Sequence, residues 1–99
     1  MATTETYNGW TNYETWAVKL WMDNDQVDYE YWREHTNAYM ADDSLRVYDL
    51  AAELKQTHED LLPDLNGFAS DLLNASFSMV NWYEIAESLI QDYEEEHAN

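Results

Sequence analysis

Val80-Asn81-Trp82-Tyr83-Glu84-Ile85-Ala86-Glu87, running on through Ser88-Leu89-Ile90-Gln91-Asp92-Tyr93, is the stretch that decides the fold. Asn81 with Glu84 three residues later has the spacing of a capping box, and Val80 and Ile85 flank it as a hydrophobic staple. Trp82, Ile85, Ala86, Leu89, Ile90 and Tyr93 then recur at helical spacing and make one apolar face. Glu84, Glu87, Gln91 and Glu94 fall on the opposite face. Glu94-Glu95-Glu96 puts three carboxylates at a helix C-terminus, where the backbone dipole disfavours them, so fraying is expected there.

The same reading extends backwards along the chain. A helix is predicted from Trp10 to Asp25, with Thr11 and Glu14 spaced as a capping box and Asn12 as a competing cap. Its apolar stripe is Tyr13, Trp16, Ala17, Leu20 and Trp21. Asp23-Asn24-Asp25 breaks the pattern and caps a second helix to Ala41, whose inward face is read as Val27, Tyr31, Trp32, Ala38 and Tyr39. Asp42-Asp43-Ser44 is the next break. A third helix from Leu45 to Leu62 carries Val47, Leu50, Ala51, Leu54, His58, Leu61 and Leu62 on one stripe, and Pro63 stops it. After the turn Asp64-Leu65-Asn66-Gly67, a short helix from Phe68 to Ala75 is expected to face Phe68, Leu72 and Leu73 inward, with Ser76 to Met79 as loop. No segment alternates with period two. The expected fold is all-α: a compact single-domain bundle of four to five helices over residues 10–96. A flexible arm, residues 1–9, precedes it, and residues 97–99 form a tail.

Charge sets the functional question. The 99 residues include 21 Asp and Glu against 4 Lys and Arg, a formal net charge of −17. Acidic chains with few aromatics stay disordered. Here 15% of residues are aromatic, five of them Trp, enough to build a core. The charge therefore belongs to a folded surface, and such a surface attracts cationic ones. The basic residues Lys19, Arg33, Arg46 and Lys55 form no patch, which argues against direct contact with nucleic acid or an anionic membrane. From Gln56 to Asn99 there are ten carboxylates and no Lys or Arg. No apolar run approaches the ~20 residues of a membrane span, and the first residues lack the basic and apolar regions of a secretory signal. With no cysteine, thiolate chemistry and disulfides are excluded.

Site chemistry is sparse. Asp23, Asp25 and Glu34 fall at positions 1, 3 and 12 of a calcium loop, but Val27 and Asp28 occupy positions that need a ligand and a glycine. Helix capping explains that cluster, and a small divalent-metal protein is the weakest of three readings. His35, His58 and His97 show no metal-ligand spacing, and His58 reads as a core histidine. Glu14 and Glu84 are accounted for as capping partners rather than an acid–base pair. There is no phosphate-binding glycine loop and no nucleophile motif. The chain is read as a non-enzyme with no cofactor and no metal.

Two motifs carry a resemblance. Gly9-Trp10-Thr11-Asn12-Tyr13-Glu14-Thr15-Trp16, with Leu20-Trp21-Met22-Asp23-Asn24 behind it, and Val80-Asn81-Trp82-Tyr83-Glu84-Ile85-Ala86-Glu87 resemble a family of short acidic proteins of phages, plasmids and other mobile elements, of unassigned function. The resemblance brings no catalytic residues. It implies a bacterial cytoplasm, that of an infected or plasmid-bearing host. It also implies a setting in which small proteins counter host defence, some of them as acidic DNA mimics. Residues three or four apart on a helix lie about 5–6 Å from each other, comparable to successive phosphates on a strand. Asp25, Asp28, Asp42, Asp43, Asp49, Glu53, Asp60, Glu84, Glu87, Glu94 and Glu95 are the carboxylates expected to stand in for phosphates. The expected partner is a basic nucleic-acid-binding protein or complex of a host defence system, a CRISPR effector or restriction enzyme. The alternative is an acidic interaction module or homo-oligomer that binds through exposed aromatics, its charge serving solubility.

Overall fold

The computed structural model describes residues 6–41 and 47–97. Five helices follow in order: α1 (Tyr13–Asn24), α2 (Gln26–Ala41), α3 (Val47–Asp60), α4 (Gly67–Ser78) and α5 (Trp82–Glu96). The fold is all-α, and no strand is formed among the described residues. The helix α5 is the spine, packing most extensively on α3 and then on α2 and α1. Leu50 and Leu54 of α3 and Ile85 and Ala86 of α5 are fully buried, joined by Ala51, Met22, Trp32 and Trp82. The expected cap and stripe of α5 are both present: the Asn81 side chain accepts the Glu84 N–H at 3.1 Å.

The helix α5 runs to Glu96, and His97 closes it with its backbone N–H on the Tyr93 carbonyl at 3.1 Å. The His97 ring stacks on Tyr93 with centroids 4.1 Å apart. Glu96 is held by a two-point ion pair to Arg33 of α2, at 3.0 and 3.1 Å. The third helix also ends as Pro63 requires. The Leu61 and Leu62 N–H groups bond carbonyls three residues back, a tightening turn that satisfies helix-end acceptors. The predicted cap at Asp42-Asp43-Ser44 lies outside the described residues.

Three predicted faces are corrected. On α1 the buried residues are Thr15, Lys19 and Met22, not the aromatic stripe; Tyr13, Leu20 and Trp21 are exposed, Trp21 at 75%. Burial here follows hydrogen bonding. Asn12, not Thr11, caps α1 and accepts from the Thr15 N–H at 2.9 Å and the Thr15 hydroxyl at 2.6 Å. The Lys19 stem lies inside while its ammonium reaches both oxygens of Asp23 at 2.8 Å. On α2, Trp32 and Thr36 are buried, Tyr39 is half-buried, and Val27, Tyr31 and Ala38 face solvent. The Thr36 hydroxyl donates to the Trp32 carbonyl at 2.7 Å, which lets a polar side chain occupy the core. The helix α4 is longer than predicted and its face is rotated: Phe68 and Leu72 point to solvent, while Leu73, as predicted, and Phe77 are half-buried. Phe77 reaches Trp82 at 5.4 Å between centroids.

The two sequence motifs interlock. Asn81 donates its backbone N–H to the Thr15 hydroxyl at 2.8 Å, and Asn12 donates from Nδ2 to the Met79 carbonyl at 2.6 Å. The Thr11 N–H donates to Glu84 at 3.0 Å. Neither predicted capping box closes on itself, because each helix start uses the other as its partner. Before this knot, Tyr7 and Trp10 exchange backbone hydrogen bonds at 2.7 and 2.8 Å around Asn8 and Gly9. Both central residues have positive φ, 49° and 89°, as a type I′ turn requires. Residues 7–9 of the expected arm thus lie in a defined turn, with Tyr7 packed on Tyr13 and Trp16.

Thr15 is fully buried at the centre of this knot. Thr15→Val, nearly equal in shape, leaves the Asn81 N–H without its acceptor and is expected to lower stability by about 1–3 kcal/mol. Thr15→Ser keeps the hydroxyl and should fall well short of that loss in a urea titration.

Candidate anionic interface

Cations are few, and two of the three among the described residues are paired with acids. Lys19 is buried on Asp23, and Arg33 is engaged by Glu96, which raises the guanidinium pKa further and lowers that of the Glu96 carboxyl. Lys55 is exposed, and Arg46 lies outside the described residues.

The predicted acids divide by environment. Asp25 is exposed but caps α2, accepting from the Val27 and Asp28 N–H groups at 3.0 and 3.1 Å. Asp28 is half-buried in the first turn of that helix. Asp42 and Asp43 lie outside the described residues. Asp49 and Asp60 are exposed on α3, with Asp60 accepting from Gln56 at 2.9 Å. Between them Glu53 is drawn inward. It is half-buried, with His35 Nε2 at 2.6 Å and the Tyr39 hydroxyl on its other oxygen, so it works as a strut between α2 and α3. Glu84 is also half-buried and spends one oxygen on Thr11. Glu87, Glu94 and Glu95 remain exposed on α5.

Around α5 the acids form a surface feature. Glu84 and Glu87 line one shallow concavity with Gly9, Trp10, Ser88 and Gln91, and Glu87 and Glu94 line the next with Val47, Ile90 and Gln91. Across the helix, Asp92, Glu95 and Glu96 share a third with Tyr29 of α2. From Glu84 to Glu96 the helix carries six carboxylates. That stretch rises about 18 Å, so the spacing is about 3 Å per charge, close to one strand of B-DNA.

Crowding shows in Asp92, whose pKa is raised. Partial burial of its carboxyl is the main cause; Lys19 opposes it, and Asp23, Glu95 and Glu96 add repulsion. A raised carboxyl pKa favours the folded state only while the group is protonated, and that contribution is lost as pH rises through the folded value. Asp92→Asn should therefore raise the melting temperature at pH 7. The gain should vanish below the ordinary Asp range near pH 4, and melting curves at both pH values check this.

Other chemistry is limited. Among the described residues, no three His, Asp or Glu side chains gather as metal ligands would, and no helix is long and apolar enough to cross a membrane. His58 donates from Nδ1 to the Leu54 carbonyl, 2.7 Å away, and packs between the rings of Trp32 and Trp82. A cavity of about 30 Å³, bordered by Met22, Trp32, Thr36 and Leu89, has room for little more than one water.

The exposure of Glu87, Glu94 and Glu95 follows from helix spacing, while the contacts of Glu53 with His35 and Tyr39 and of Glu84 with Thr11 do not. Those partners lie 14 to 73 residues away, and no local spacing signals them. No curated protein and no solved structure matches the chain. Residues 3–97 match a family of unknown function (DUF7249), and the chain belongs to that family.

Proposed function

We propose that the protein is a non-enzymatic inhibitor carried by a mobile element, acting on a host defence complex that targets nucleic acid: an anti-CRISPR or anti-restriction protein. It occupies the basic DNA-binding channel with carboxylates in place of phosphates, and DNA is excluded by competition. The observation that carries this reading is the α5 surface, where six carboxylates follow at about the linear charge density of a DNA strand, Glu84 shared with Thr11 and Glu96 with Arg33 while Glu87, Asp92, Glu94 and Glu95 stand exposed. Glu84, Glu87 and Glu94 lie on one side of the helix and Asp92, Glu95 and Glu96 on the other, and the knot at its start and the Arg33 contact near its end tie it to α1 and α2.

Affinity capture from a bacterial host, followed by DNA competition, tests the reading. The captured protein should bind DNA alone and release it as the inhibitor is added. A ternary complex with DNA still bound would refute competitive mimicry. A second reading, an interaction module working through aromatics, is favoured by exposed Trp21 and by the partly exposed cluster of Tyr7, Tyr13 and Trp16. In that case Trp21→Ala, not loss of acids, removes binding.

A further inference from the structure

We propose that the outward face of α4 docks a basic amphipathic helix of a partner protein. This deepens the reading above, because it names the form of one cationic segment that the protein would grip. Among the described residues, α4 is the one helix with no fully buried side chain. Its inner side, Ser70, Leu73 and Phe77, is half-buried. On the outer side, Phe68 is 82% exposed, Leu72 56% and Met79, at the cap, 53%. With exposed Ala75 they fall at i, i+4, i+7 and i+11, the seam spacing by which one helix packs on another. Leu61 and Leu65, just ahead of the helix, are exposed as well. A row of large apolar groups in the open differs from singly scattered ones and marks an interaction surface.

Charge selects the occupant. Asp71 sits on α4 between Phe68 and Leu72, and exposed Glu59, Asp60 and Asp64 precede it, with no Lys or Arg from Gln56 onward. A second copy would bring these acids against their own duplicates on two chains of net charge −17. Inside a contact, spacings fall below the Debye length of about 8 Å, so that repulsion is poorly screened. A helix with an apolar stripe bordered by Lys or Arg satisfies both features at once, in the helix-on-groove mode of recognition.

The test uses a synthetic Leu/Lys helix about 18 residues long with Leu at every third and fourth position, and a control in which Ser replaces Leu. Titration calorimetry should show the Leu/Lys peptide binding the wild type. The double variant Phe68→Ser, Leu72→Ser should weaken that binding by about tenfold or more and leave the control peptide's weak binding unchanged. Both side chains are exposed, so the melting temperature should hold, which circular dichroism verifies. Glu87→Lys with Glu94→Lys, on α5, should weaken the Leu/Lys peptide no more than it weakens the control. That separates this site from the DNA-mimicking surface. Three results would overturn the proposal: no binding of the Leu/Lys peptide, equal binding by the double Ser variant, or a wild-type dimer that the Ser variant converts to monomer.

Discussion

Glu87→Lys combined with Glu94→Lys is expected to weaken capture of a basic DNA-binding partner by about 100-fold or more and to leave its DNA bound. Close charge pairs across protein interfaces couple by about 1.5–7 kcal/mol, and each 1.4 kcal/mol is tenfold in affinity. Two lost attractions, turned into repulsions, therefore exceed two orders of magnitude. Both glutamates are exposed and border the concavities along α5, and neither supports the fold as Glu53 and Glu84 do. The variant should melt no lower than the wild type, because reversing two charges relieves part of the self-repulsion. Displacement of a fluorescent duplex from the captured partner reads the effect. Full displacement by the variant would remove these acids from the interface. Glu53→Lys is a poorer probe: it breaks the contacts with His35 and Tyr39, so lost binding would be confounded by lost structure.

Ile85→Ala should produce the largest loss of stability. Ile85 is fully buried against the α3 side chains Leu50 and Leu54, at the most extensive helix contact in the molecule. Truncations of this kind cost about 2–5 kcal/mol, and domains of this size hold only about 5–15 in total. At about 4–8 °C per kcal/mol, the melting temperature should fall by at least about 8 °C. The net charge of −17 lowers the reserve further, so added salt should restore part of the loss by screening. Leu61→Ala, at a side chain that is 73% exposed, should stay within about 0.5 kcal/mol. Thermal melts of the three proteins at low and moderate salt decide the matter.

The sequence revealed α3 and α5 because their apolar periodicity coincides with their buried faces, except at Leu61, which lies past the end of α3 and is exposed. Helix α1 misled because its buried stripe is Thr15, Lys19 and Met22, polar groups made acceptable by Asn12, Asn81 and Asp23. Tyr13 and Trp16 gather instead on the Tyr7 turn, and Trp21 stands in solvent. Asn8-Gly9 is a strong hairpin signal, whereas the lack of apolar periodicity in residues 1–9 points to an arm. On α4, Phe68 and Leu72 looked like core residues, as hydrophobicity alone does not say whether a helix has a neighbour on that side. At the candidate interface, the exposed acids of α5 follow from helix geometry. The inward turn of Glu53 depends on α2 lying beside α3, which only the tertiary fold provides.

The salt dependence of affinity for the captured partner bears most directly on phosphate mimicry. Between about 50 mM and about 500 mM salt, replacement of phosphates by carboxylates predicts a steep fall, with log affinity linear in log salt and DNA competition lost in parallel. An affinity that stays flat across that range would contradict it and leave the exposed aromatic and apolar surfaces as the binding determinants.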